Sequence, residues 1–275
     1  MNETPANLTP TIDVVRRGPT FQIGSTKRYG LTRIRLPIVG LPNDLAGLRL
    51  LHLGDTHLHA DRWEPAFELA IDEIAQFKPD LICHSGDWID DKFNHRPVMP
   101  VLKRFVEGLL PSARLGVWSC VGNHDGDLLA PHLIDLGVRV LLGETARFAV
   151  ADGALELVGL PGVGRDDLTT DVVAGIVPKA PDTMRVVLCH FPDAIHKIVP
   201  LAPDIHLAGH THGGQICWPG GKPLITHDSL PKETSAGLHR IENCWLHITR
   251  GLGWTGLPVR AWSCAEMTLI ELVRA

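Results

Sequence analysis

The chain has 275 residues, enough for one large α/β domain with a substantial core or for two small ones. Its 44% hydrophobic and 21% charged content is ordinary for a globular protein, and its net charge of −5 argues against a broad nucleic-acid-binding face. Histidine is the outlier at 15 residues, an excess that metal binding can explain.

Residues 1–19 are polar and carry Pro5, Pro10 and Pro19. They read as a flexible N-terminal arm, with 20–275 as a single domain. The arm has no apolar core of a signal peptide, and Arg16-Arg17 runs into Gly18-Pro19, so the expected location is the cytoplasm. Residues 31–39 alternate polar and apolar and predict an edge strand with Pro37 near its end. Apolar runs at 48–53, 80–85 and 115–121 predict buried strands. Helical spacing of Trp63, Phe67, Ala70, Ile71 and Ile74 predicts a helix over 63–77. That of Val98, Val101, Leu102, Phe105 and Leu109 predicts another over 97–109. A helix at 127–136 and a short strand at 138–142 follow.

The second half is richer in strands. Residues 145–150 and 154–160 predict a hairpin around Asp152-Gly153. The Gly/Pro/Asp-rich stretch 161–184 reads as loop with a short helix. Strands are expected at 185–189 and 204–208, with a short helix after Pro192, and again at 214–218, 244–249 and 267–273. No repeat or linker is evident, which favours one domain of two packed sheets and flanking helices.

Four polar motifs follow directly on apolar runs: Gly54-Asp55-Thr56-His57, Gly86-Asp87-Trp88-Ile89-Asp90, Gly122-Asn123-His124-Asp125 and Gly209-His210-Thr211-His212. Asp55 to Asp87 is 32 positions and Asp87 to Asn123 is 36. One β-α-β crossover takes roughly 30 residues. Successive motifs are therefore expected at the same edge of one parallel sheet, where open α/β sheets bind ligands. With His190 at the end of its own apolar run, the candidate ligands are Asp55, His57, Asp87, Asn123, His190, His210 and His212. This nitrogen and oxygen set contains no sulfur and suits Mn, Fe or Zn. It is too large for one tetrahedral ion and suits two, about 3.5–4 Å apart, sharing a carboxylate.

The order Asp-x-His, Gly-Asp-x-x-Asp, Gly-Asn-His-Asp, a lone His and Gly-His-x-His resembles the calcineurin-like metallophosphoesterases over roughly residues 48–213. His210-Thr211-His212-Gly213-Gly214-Gln215, Arg250-Gly251-Leu252-Gly253 and Glu266-Met267-Thr268-Leu269-Ile270 resemble one bacterial branch. That branch includes membrane-peripheral phosphodiesterases and pyrophosphatases acting on UDP-diacylglucosamine. The resemblance implies an α/β (α+β) sandwich of two mixed sheets flanked by helices in four layers. It implies two metal ions, Asp55, His57 and His212 on the first, Asn123, His190 and His210 on the second, and Asp87 bridging. A hydroxide between the ions would attack phosphodiester or pyrophosphate phosphorus. His124 would serve the leaving group without binding metal, oriented by Asp90 or Asp125. The substrate would be a small phosphoester, nucleotide- or lipid-linked, with peripheral membrane contact and no stable nucleic-acid partner. Gly54 departs from the Ser common in relatives.

Asp55-Thr56-His57-Leu58-His59 also resembles the start of amidohydrolase barrels, and a non-catalytic scaffold of the same fold is a third reading. His52 and His84 lie inside predicted strands and read as core histidines, and His59 as a non-ligand. Gly122 and Gly209 read as turn formers. Trp218, Trp254 and Leu257 read as packing residues, with an apolar substrate rim as the alternative. Arg250 is expected on a surface ion pair or on substrate phosphate. The six cysteines form no C-x-x-C pair and read as free thiols, favouring a reducing compartment.

Overall fold

An apolar run without alternation is what a parallel strand covered on both faces requires. The structure, a computed structural model describing residues 8–24, 27–60, 62–126, 128–162, 164 and 166–275, turns each such run into a buried strand. The first half comprises β1 (Thr11–Arg16), β2 (Phe21–Ile23), β3 (Gly30–Ile38), β4 (Arg49–Leu53), α1 (Pro65–Phe77), β5 (Leu81–His84), α2 (Met99–Leu109), β6 (Val117–Ser119), α3 (Leu129–Asp135) and β7 (Arg139–Val140). The second half comprises β8 (Glu144–Val150), β9 (Gly153–Gly159), α4 (Thr170–Gly175), β10 (Thr183–Leu188), α5 (Ile195–Ile198), β11 (Ile205–Ala208), β12 (Gly237–Ile241), β13 (Cys244–Ile248), β14 (Val259–Ala261) and β15 (Glu266–Arg274).

One sheet runs β1-β3-β15-β4-β5-β6-β7, the other β12-β13-β11-β10-β9-β8, and β14 pairs with β2. Strands β4 to β7 are mutually parallel, as are β13, β11, β10 and β9. Alternate side chains along each central strand serve different layers. Leu51 and Leu53 of β4 face α1 and α2 with Phe67, Ile74, Leu102 and Phe105. Leu50 joins Leu81, Leu157, Val186, Leu188 and Leu207 between the sheets. Val187 and Leu246 pack under α5 with Ile195 and Ile198. The result is four layers, helix, sheet, sheet, helix. Two open mixed sheets are not a closed eight-strand barrel, so the amidohydrolase reading fails on topology.

Helix α1 begins with Pro65, whose missing N–H costs nothing in a first turn, and ends where Lys78 turns left-handed (φ 46) with its N–H on the Ile74 carbonyl. Among the described residues no helix is long and apolar enough to cross a membrane.

Three expectations are corrected. The segment read as a loose arm contains β1, which pairs antiparallel with β3; residues 1–7 of that arm lie outside the described residues. Arg16 at its end donates to both Glu73 oxygens of α1 (2.5 and 2.9 Å) and to the Tyr29 carbonyl, which ties it down. Strand β3 is not an edge, because β1 covers residues 31–35 and β15 its other side; Pro37 lies beyond the stretch that β1 pairs. Residues 214–218 form no strand, only single bridges Ile216–Ala261 and Cys217–Pro223, because Gly213, Gly214 and Gln215 all have positive φ.

Candidate metal centre

The motifs sit where the parallel strands of both sheets end: after β4, β5 and β6 in the first, and after β10 and β11 in the second. Sheet register brings these ends together across the seam. The Asp55 N–H bonds the Gly86 carbonyl at 2.9 Å and His57 N–H the Asp87 carbonyl at 3.1 Å. From the second sheet, the His210 N–H donates to Asp55 Oδ1 at 2.9 Å, and His190 Nδ1 lies 2.8 Å from the Ser85 carbonyl.

All seven candidate ligands converge. His57 Nε2 lies 3.0 Å from His212 Nε2, and His212 Nε2 lies 3.6 Å from Asp55 Oδ1. Asn123 Oδ1 lies 3.1 Å from His190 Nε2 and 3.0 Å from His210 Nδ1. Between these groups, Asp87 Oδ2 is 3.5 Å from His57 Nε2 and 3.2 Å from His190 Nε2. One carboxylate oxygen thus faces both sets.

The backbone is strained here. Asp55, His57, Asp87, His210 and His212 all have φ between 40 and 69. Non-glycine residues in this region cost about 1–3 kcal/mol each and persist where the surroundings enforce them, typically at functional sites. Gly122 and Gly209 do begin turns, their carbonyls accepting the N–H groups of Asp125 (3.1 Å) and Thr211 (2.8 Å). They also allow close approach: a Cβ on Gly122 would strike Asp87 Oδ1, and one on Gly209 would strike Asp55 Oδ2. At Gly54 the space a side chain would take is held by Ser85 Oγ.

The donor chemistry fits metal ions. Burial holds the imidazoles of His57 and His212 below the usual histidine range, so both offer lone pairs. Burial raises the Asp55 carboxyl, and its Oδ2 has no hydrogen-bond partner although it is buried. Burial disfavours charge on His190, yet the neighbouring Asp87 carboxylate outweighs it and pushes His190 up to about 9. Two buried carboxylates, one with an orphaned oxygen, facing the uncharged imidazoles of His57 and His212 form a cavity that calls for positive charge.

His124, expected to act without binding metal, has its Nδ1 2.7 Å from the Asp90 backbone carbonyl and its backbone N–H on Asp87 Oδ1 at 2.8 Å; with His57 and Asp90 it also forms a group able to hold an ion. The Asp90 carboxylate reaches a different histidine, 3.1 Å from His57 Nδ1 and 3.9 Å from His124 Nδ1. Asp125 is corrected more fully. Its carboxylate is buried and accepts the N–H groups of Asp87 (2.9 Å), Trp88 (2.7 Å) and Gly122 (2.8 Å), so it braces two motif loops instead of orienting His124.

Among the remaining expectations, His52 and His84 are core residues: His52 Nδ1 meets His247 Nδ1 at 2.7 Å, and His84 stacks on Trp88 at 3.7 Å. His59 stacks on Trp254 at 4.2 Å. Trp254 is packed, but Trp218 and Leu257 are more than 60% exposed. Arg250 is ion-paired with Glu266 at 2.5 Å. Arg260 escaped the sequence reading because no motif surrounds it. It is buried, donates to the Gly253 and Arg250 carbonyls at 2.9 and 2.7 Å, and lies 3.3 Å from His212 Nδ1. It thereby fixes the loop whose Gly251 and Gly253 press on Asp55 and Thr56.

The family model for calcineurin-like phosphoesterases matches residues 48–214, from the start of the first motif strand through the last motif. The chain belongs to this family. Metallophosphoesterases similar to it include YkuE of Bacillus subtilis, 30% identical over 84% of this chain and 81% of the relative. The phosphodiesterase YaeI of Escherichia coli is 31% identical over 87% of each chain. The UDP-2,3-diacylglucosamine pyrophosphatase LpxG of Chlamydia trachomatis is 23% identical over 76% of this chain and 79% of its own. The chain is thus a metallophosphoesterase, a hydrolase of phosphoric esters with candidate metal ligands in place.

Proposed function

We propose that this metallophosphoesterase cleaves phosphodiester or pyrophosphate bonds at two metal ions, drawn from Mn, Fe and Zn. Asp55, His57 and His212 would hold one, Asn123, His190 and His210 the other, and Asp87 both. The observation that carries the reading is Asp87 Oδ2, which faces His57 Nε2 at 3.5 Å and His190 Nε2 at 3.2 Å. When bound, the ions supply Lewis acidity toward the phosphoryl oxygens and make water acidic enough to act as nucleophile near neutral pH.

The protein's own groups do the rest. With Nδ1 held on the Asp90 carbonyl, His124 keeps Nε2 for exchanging a proton with the leaving oxygen, and it is partly exposed, as a group meeting substrate must be. Asp90, on His57 Nδ1, fixes that ring's orientation. Asp125 holds the loops carrying Asp87 and Asn123 at their spacing.

Diester or pyrophosphate substrates are supported by the likeness to YaeI and LpxG. Exposed Trp218 and Leu257 support an apolar, lipid- or nucleotide-linked leaving group and contact with a membrane surface. Six cysteines without a disulfide support a reducing compartment such as the cytoplasm. The test is a substrate panel on the Mn²⁺-reconstituted protein: bis-p-nitrophenyl phosphate, p-nitrophenyl phosphate, a nucleotide-sugar lipid and an amide. Turnover of diester or pyrophosphate that His210→Ala abolishes is expected; turnover of the amide alone would overturn the reading.

A further inference from the structure

A cavity of about 740 Å³ lies beside the metal centre: Gly213, next in the chain to His212, is in its wall, but none of the seven candidate ligands lines it. Arg16, Arg17, Lys222, Lys232 and Arg250 border it. Two of these cations are neutralised locally, Arg16 by Glu73 and Arg250 by Glu266. Arg17, Lys222 and Lys232 have no carboxylate partner among the described residues, and the remaining acid of the lining is Glu233. Lys232 spends one N–H on the Leu224 carbonyl at 2.5 Å and retains two. An excess of cations is thus gathered in one concavity of a chain whose net charge is −5.

The walls suit an anion of some size. Gly220 and Gly221, both at positive φ (95 and 88), bring bare backbone to the surface, with nothing in the space a Gly220 side chain would fill. Trp262, 43% exposed, supplies an aromatic wall beside them. The volume lies within the range of roughly 300–1,000 Å³ typical of small-molecule pockets. Three uncompensated cations match the roughly 1.5–2 charges of a phosphate monoester at neutral pH better than the single charge of a carboxylate.

We propose that this cavity is a second anion site, separate from the metal centre, that binds the phosphate of a small phosphorylated molecule or of a lipid headgroup through Arg17, Lys222 and Lys232. The proposal does not depend on the catalytic reading.

The experiment titrates inorganic phosphate into the metal-loaded full chain by calorimetry, comparing wild type, Asp87→Asn, Arg17→Ala and Lys222→Ala/Lys232→Ala. The same proteins are sedimented with phosphatidylcholine vesicles with and without phosphatidic acid. Charge-assisted hydrogen bonds are strong enough that losing two weakens binding about tenfold or more. The expected result is a phosphate-binding component that persists in Asp87→Asn and weakens in both cation variants, which identifies a free anion. The same loss confined to phosphatidic acid vesicles identifies a lipid headgroup. Phosphate binding that follows Asp87 alone, or binding of both probes unchanged by the cation substitutions, overturns the proposal.

Discussion

The Asp125 carboxylate accepts the Trp88 N–H at 2.7 Å, reaching from the third motif into the second. With the N–H groups of Asp87 and Gly122 on its other oxygen, it is an acceptor surrounded by donors. Asp125→Asn puts an amide NH₂ where only an acceptor fits. A buried hydrogen bond to a charged group contributes about 1.5–3 kcal/mol, so Asp125→Asn is expected to lower unfolding free energy by about 3 kcal/mol in denaturant titration. Metal content should fall with it. Full stability together with a shifted pH–rate profile would make Asp125 an acid–base residue after all.

Asp90 and His124 should separate in kinetics. The Asp90 side chain meets His57, whereas its backbone carbonyl meets His124. Asp90→Ala is therefore expected to weaken metal affinity about 10–100-fold and to leave dependence on leaving-group acidity as in wild type. His124→Ala should keep its metals and lose about 10²–10⁴ in kcat, most for the poorest leaving groups. Equal effects of both substitutions on metal affinity would contradict this division.

Gly122 leaves no slack. A Cβ there meets the backbone nitrogen of Asp87 at 2.6 Å as well as its carboxylate. Gly122→Ala should displace Asp87, cost about 1–3 kcal/mol through overpacking, and abolish turnover. Substitution at Gly220, whose side-chain space is open, should leave Asp87 undisturbed.

Much of this was legible in the sequence. Strands β4, β5 and β6 are buried on both faces, so their apolar runs stand out, and each motif follows at its strand end. β1 was missed because five of its six residues are exposed, and nothing local reveals that Arg16 pairs with Glu73, 57 residues on. β2 and β14 are three residues each, too short for a period. The candidate ligands were readable by type, but the left-handed backbone of five of them (Asp55, His57, Asp87, His210 and His212) and the burial of Arg260 are tertiary consequences with no local signal.

Acid should destabilise the fold through two buried histidines outside the candidate ligand set. Burial holds His206 and His247 at about 4, against 6.5 in the unfolded chain. His206 Nε2 donates to the Cys189 carbonyl, while its Nδ1 has no acceptor for a second proton. The unfolded chain then binds more protons, so stability is unaffected above about 6.5 and falls as pH drops toward 4. Thermal melts should show this slope, and His206→Gln should flatten it. A slope unchanged in that variant would assign the acid limb to other groups.

The central claim is that Asp87 joins two metal sites, and ion content per chain tests it most directly. Elemental analysis of the reconstituted protein should give about two ions per chain, falling to one or fewer in Asp87→Asn together with loss of bis-p-nitrophenyl phosphate turnover. Well under one ion in the wild type, or an Asp87→Asn protein with unchanged content and turnover, would contradict the account and leave the fold as a non-catalytic scaffold or a different hydrolase.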